Sequence, residues 1–391
     1  MISLLDLPAE LVLQILSFLV ERKPHSIEDL HEEPSETLLQ SGYDSVKNLS
    51  LTCQRLRILC LRTLFTNVKL PLTSLGLSLS TERSISFLQD HDLVRGIESV
   101  LFYQVASDVI DNEYDYVNMP RCNMESQVLW VLSQLNPPAI IIMLPPSCFQ
   151  ELMPYDLRES DDWAFQIPYQ VLHFTRSTDM PPACASVSDS QDNSILNMRS
   201  WSHCTFNEGS SIRAYSTYEY FHKHVPSIFT PINEQKMIDA VWRTLPYLTS
   251  FDYVAIFPFQ VRHIQQFCNF LTAAAPNLRH LRTRLSPTRG NGVLDDKEAM
   301  GTCQRTDLWS EFENWYAYVA NWLRYEYLYS IKDFTVLDYD NVELRDAIHR
   351  VCEMGADWAH EGNGKWVRLA YGEWSASGNF FSFHGPLRGP T

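Results

Sequence analysis

Few residues in this chain have the types and spacing that catalysis needs, and each has a plainer explanation. His222-Lys223-His224 brings two imidazoles close together, but no evident partner ligands stand near and no Cys-x-x-Cys pair occurs, so a surface histidine pair accounts for it. Asp338, Asp340 and Glu343 cluster after a predicted strand, where carboxylates could bind a cation or exchange protons. A solvated acidic turn that caps a helix is the better explanation, and Asp161-Asp162 reads the same way. No glycine-rich phosphate loop, G-x-S-x-G elbow or H-E-x-x-H helix is present. No catalytic residue, metal site or cofactor site is therefore read from these residues. An enzyme whose site is assembled from residues distant in sequence stays open as the alternative.

The elements at the N-terminus are more informative. Leu7-Pro8-Ala9-Glu10-Leu11 opens a helix, since Pro8 suits a first turn and Glu10 meets the positive end of the helix dipole. At 100° per residue, Leu11, Val12, Ile15, Leu16, Phe18 and Leu19 cover an arc of roughly 160°, wider than one small core needs. In a second helical run Val46, Leu49, Cys53, Leu56, Cys60 and Leu64 form one face, while Leu51 and Ile58 form another. A module this small cannot bury two apolar faces internally, so one should pack inward and the other should meet a partner. An ordinary helical hairpin packed on the following domain is the alternative.

In order and spacing, residues 4–70 resemble an F-box, the short helical module that plugs a protein into a cullin-type ubiquitin ligase. The resemblance implies that Leu7, Pro8, Ile15, Leu16 and Leu19 contact a Skp-type adaptor, and that Leu49, Cys53, Leu56 and Leu64 build the small core and assist. It also implies a cullin reached through that adaptor and a protein target held by the rest of the chain; a non-ligase F-box protein that binds the adaptor without directing ubiquitination is the alternative. Two features depart from the family. Leu56 stands where many members carry an aromatic residue, and Val20 to Asp44 is an insert with Pro24, Pro34, Gly42 and an acidic excess. That composition predicts a solvated loop bulging from between the helices.

A chain of 391 residues has room for such a module plus a domain of about 300, and 45% hydrophobic content supplies a real core. The net charge of −16 argues against nucleic acid or an anionic membrane as partner. The N-terminus lacks a basic segment ahead of its apolar residues, the longest strongly apolar run (Ala139 to Leu144) is too short to span a bilayer, and nine irregularly spaced cysteines do not form a disulfide framework. Cytosol or nucleus is the expected compartment.

Beyond residue 70, two segments align: Pro246-Tyr247-Leu248-Thr249-Ser250-Phe251-Asp252-Tyr253 and, thirty residues on, Pro276-Asn277-Leu278-Arg279-His280-Leu281-Arg282-Thr283. Each follows an amphipathic stretch, and the frame resembles a leucine-rich repeat, one strand plus one helix per unit. Weaker copies place strands at Ser99–Tyr103, Ala139–Leu144, Gln170–Thr175, Trp201–Phe206, Phe334–Asp338 and Trp366–Tyr371, with helices at Glu125–Leu135, Trp309–Tyr329 and Val342–Trp358. The expected fold is α/β: an F-box over 1–70 with its insert at 20–44, an irregular leucine-rich-repeat-like solenoid over 71–376, and a tail over 377–391. A non-repetitive α/β domain is the alternative. Strand residues alternating with buried ones, Asp252, Arg282, Arg284 and Arg368, are the candidates for target binding. Loops are expected at Ser177–Ser194 and Ser286–Thr306. The loosely repeated, aromatic-rich body is similar to that of fungal F-box proteins.

Overall fold

A computed structural model describes residues 6–20, 27–40, 42–73, 78–104, 124–158, 162–165, 167–177, 194–216, 222–288, 293–295, 300, 304–324, 330–352 and 354–369. The chain is mixed α/β. Three helices build an N-terminal module: α1 (Ala9–Leu19), α2 (Asp44–Ser50) and α3 (Gln54–Leu64). They enclose a small core of Val12, Leu16, Tyr43, Val46, Leu56 and Cys60. Pro8 caps α1 in extended conformation, as a residue without an N–H can, and Glu10 lies in the first turn.

A ten-stranded sheet follows: β1 (Asn67–Pro71), β2 (Ser99–Tyr103), β3 (Ala139–Leu144), β4 (Gln170–Thr175), β5 (His203–Ser210), β6 (Ser250–Ile256), β7 (His280–Arg284), β8 (Asp333–Val336), β9 (Trp358–Gly362) and β10 (Lys365–Arg368). Strands lie side by side in chain order through β8, and β10 then intervenes before β9. Pairing is parallel over β1–β3 and β5–β8 and antiparallel around β4 and β10. β1 crosses the expected boundary at residue 70. Asn67, its first residue, donates to the Tyr43 hydroxyl at 2.9 Å and accepts from Ser99 at 2.6 Å, tying the helices to the sheet.

Helices α4 (Leu79–Asp90), α5 (Met124–Leu135), α6 (Glu234–Val241), α7 (Val261–Ala274), α8 (Arg305–Trp322) and α9 (Arg345–Val351) supply the partners of one sheet face. Ser78 and Asn233 start α4 and α6 by accepting from backbone N–H groups in the first turn. The aromatic residues of α8 are core: Trp315 stacks on Tyr253 at 5.2 Å, and Phe312 and Tyr316 are fully buried. The two aligned segments take equivalent places. Leu248 and Leu278 are buried at matching turns, and Phe251 pairs with Leu281 on adjacent parallel strands. Predicted helix Val342–Trp358 ends early, because Gly355 and the following turn lead into β9, where Trp358 is a strand residue.

The insert departs from expectation. Residues 27–40 are not a solvated loop but a strap laid across the second face of the sheet. Leu30 and Leu38 are buried there in a cluster with Leu101, Ile141, Met143, Tyr169 and Val171. This cover explains why β3 is an unbroken apolar run: both its faces are out of water, as in sheets covered on two sides. The acidic composition suggested solvation, but two leucines eight residues apart pack against the sheet and Asn207 and Lys69 hold the backbone.

Candidate functional site

The helical module and the open sheet face hold the sequence-predicted residues. In the module, Leu16 and Leu56 lie in its core at 0% and 5% exposure, so any contact they make with a partner is indirect. Leu7, Leu19, Leu49, Cys53 and Leu64 pack around that core half-buried, Ile15 is half-buried too, and Pro8 is exposed. The outward apolar residues are others: Leu11 and Phe18 on α1, and Leu51 and Ile58 around α3, the last three at 79%, 73% and 61% exposure. Leu51 and Ile58 are both exposed as expected, but the second helical run is two helices, with Leu51 at the end of α2 and Ile58 on α3. Leu61 and Phe65 point to neither surface but pack toward the sheet domain, Phe65 meeting Phe87 of α4 at 5.4 Å.

On the sheet, the two-residue period sends Phe251, Tyr253 and Leu281 to the helices and Asp252, Arg282 and Arg284 to the other face. Asp252 is the hub of that face. Arg282 Nε donates to Asp252 Oδ1 at 2.6 Å and Arg282 Nη2 donates to Oδ2, a two-pronged pair across β6 and β7. His31 of the strap stands 3.5 Å from Asp252 Oδ2 and His203 of β5 stands 3.7 Å away. Burial alone would push the Asp252 carboxyl up, but His31 and Arg282, with His203, outweigh it and hold the group below its usual range. His203 is shifted down, first by burial, with Arg282 and His31 adding and Asp252 opposing. Its Nε2 lies 3.0 Å from the Thr205 hydroxyl. Arg284 faces Glu32 of the strap at 4.0 Å.

Arg368 does not belong to this surface. β10 aligns Trp366 with Phe334, which packs among the helices, and Arg368 shares that parity. Its guanidinium lies over the Trp358 ring at 4.7 Å and donates to the Leu323 carbonyl at the end of α8. The register of the last strand was out of reach because the antiparallel β9–β10 turn has no counterpart in the repeat.

Two buried polar groups escaped the sequence analysis. Glu208, at the end of β5, accepts from the Ser227 and Tyr253 hydroxyls and lies 2.9 Å from His263 Nε2. A serine, a histidine and a carboxylate are the members of a hydrolytic triad, but here the hydroxyl donates to the carboxylate and no imidazole stands between them. The carboxylate instead joins β5, β6 and α7. Asp338, expected in a solvated acidic turn, is buried. It accepts from the Leu285 and Ser286 N–H groups at 2.7 and 2.9 Å and from the Ser286 hydroxyl at 2.6 Å, and Tyr316 adds a fourth donor. Burial raises its carboxyl despite those bonds, and its role is to fix the end of β7. Among the described residues, no group of three or more His, Cys, Asp or Glu side chains is arranged to hold a metal ion, and no helix is long and apolar enough to cross a membrane. Asp161 and the expected tail over 377–391 lie outside the described residues.

No protein-family model, curated protein or solved structure matches this chain.

Proposed function

We propose that this chain is an F-box protein, the substrate-recognition subunit of an SCF-type cullin–RING ubiquitin ligase. The observation that carries the reading is the division of the helical module. Its core is complete with Val12, Leu16, Val46, Leu56 and Cys60, yet Leu11, Phe18, Leu51 and Ile58 remain in water on its outer faces. Exposed large apolar residues concentrated on so small a unit favour a partner surface over an ordinary structural hairpin. The Leu7-Pro8-x-Glu10-Leu11 start and the spacing to α3 favour a Skp-type adaptor as that partner.

The finer fold reading belongs with it: an F-box followed by an irregular leucine-rich-repeat-like solenoid. Strands that stack in chain order, with helices on one face, support that description. In this role the chain forms no covalent intermediate and uses no cofactor. It holds a protein target near a ubiquitin-charged enzyme bound at the far end of the ligase, so that lysine attack becomes effectively intramolecular. Asp252, Arg282 and Arg284 would be part of the target surface.

Capture from cells tests this. Wild-type chain should bring down the Skp-type adaptor and a cullin, and Leu51→Asp with Ile58→Asp should lose both. Adaptor without cullin would mean an F-box protein outside ubiquitination, and neither would mean that the module is structural.

A further inference from the structure

We propose that the strap-covered sheet face over β1–β7 is a peptide-binding surface whose built-in occupant is the strap 27–40, and that it takes target segments of the same chemistry: acidic, without Lys or Arg, with one leucine among the first carboxylates and another eight residues later. This rests on the chain being a target-binding subunit.

Three features of the contact carry the inference. First, charge is complementary. The described strap side chains include four carboxylates (Asp29, Glu32, Glu33, Glu36) and no Lys or Arg, whereas the face beneath it presents Lys69, Arg284 and the Arg282–Asp252 pair in a chain whose net charge is −16. Glu32 engages Arg284 at 4.0 Å and accepts from Thr288 at 2.8 Å, and Glu36 accepts from the Tyr169 hydroxyl at 3.1 Å. Second, the sheet grips the strap largely by its main chain, which any segment of like shape would offer. Asn207 Nδ2 donates to the Leu30 and Glu32 carbonyls at 2.7 and 2.6 Å, and Lys69 Nζ to the Leu38 and Gln40 carbonyls at 3.3 and 2.7 Å. Main-chain bonds with spaced side-chain pockets are how folded domains read short peptides. Third, the pockets are specific. Leu30 and Leu38 enter the apolar cluster of Leu101, Ile141, Met143 and Val171, and His31 sits on Asp252. The strap thus covers the very residues proposed for target binding, and a target must displace it.

The test uses the full chain and a fluorescein-labelled peptide of residues 27–40, read by anisotropy. Leu30→Ser with Leu38→Ser should bind the peptide at least tenfold more tightly than wild type, because the site is vacated. Arg284→Glu in that background should weaken binding tenfold or more, and a scrambled peptide should not bind. A folded Leu30→Ser/Leu38→Ser chain that ignores the peptide, or binds the scrambled one equally, overturns the proposal. Should that variant not fold, His31→Ala with Glu32→Ala removes only polar anchors; it should gain threefold or more, and no gain overturns the proposal. Adaptor capture is scored on the same preparations. Peptide binding without adaptor removes the ligase reading alone, and adaptor without peptide removes this inference alone.

Discussion

Replacing Asp252 by Asn tests the polar hub of the open face. The substitution keeps the volume, so no cavity forms, but it removes the charge that Arg282, His31 and His203 share. An amide can still accept one bond from the guanidinium, while its NH2 is turned toward donors. Breaking a buried pair costs about 3–5 kcal/mol when the remaining charge cannot reach water. Arg282 retains 33% exposure and can re-solvate in part, so the lower end, about 3 kcal/mol, is expected. At about 2 °C per kcal/mol for a chain of this size, the melting temperature should fall by roughly 6 °C. Urea titration at pH 7 and at pH 3 adds a sign. Because the folded carboxyl lies below its ordinary 3.8, its contribution is present above that value and is lost as pH falls through the folded value. The gap between wild type and Asp252→Asn should therefore be full at pH 7 and narrow in strong acid. A loss under about 0.5 kcal/mol at pH 7, or a gap that widens in acid, would refute the assignment of Asp252 as a net stabilising hub.

His203 predicts a second pH effect of its own. Its folded imidazole takes a proton less readily than the ordinary 6.5, so stability should fall as pH drops below that value, by up to about 1.4 kcal/mol per pH unit, and His203→Asn should flatten the slope. Denaturant midpoints between pH 7 and pH 5 check this. Gly364 has φ +71° and a Cβ there would stand 2.6 Å from the Val336 carbonyl oxygen and against Tyr339, whereas Gly362, φ +97°, faces open space. Gly364→Ala should cost about 2–4 kcal/mol and Gly362→Ala about 1, in thermal melts of the two variants side by side.

Where apolar runs were short and bounded by turns, the residues spoke clearly. Ser99–Tyr103, Ala139–Leu144 and Gln170–Thr175 match their strands residue for residue, and the paired segments at Pro246 and Pro276 mark adjacent strands. Parity along β6 and β7 then placed Asp252, Arg282 and Arg284 together. Parity failed at Arg368, because a tight antiparallel return replaced the repeat. Contacts between segments distant in sequence were illegible. Nothing in Leu30 or Leu38 announces a partner on β2–β4, and Asn207, which holds the Leu30 carbonyl, is 177 residues away. Buried carboxylates were also hidden, since Glu208 and Asp338 look solvated until their hydroxyl and N–H donors fold around them. In the helical module, the wide apolar arc of α1 was visible, but which residues turn inward depended on α3. The core took Leu16, and Phe18 was left outside.

That division is where the central claim is most exposed to test. Purified chain would be titrated with a purified Skp-type adaptor by calorimetry, with Phe18→Asp and Ile58→Asp as variants. Both side chains are mostly in water, so folding should change by no more than about 0.5 kcal/mol. Each, as an aromatic or aliphatic anchor at an interface, should cost about 2 kcal/mol of binding, roughly thirtyfold in affinity. Adaptor binding that falls so while the melting temperature holds is the result the account predicts. No heat of binding with wild type, or equal affinity in both variants, would contradict it.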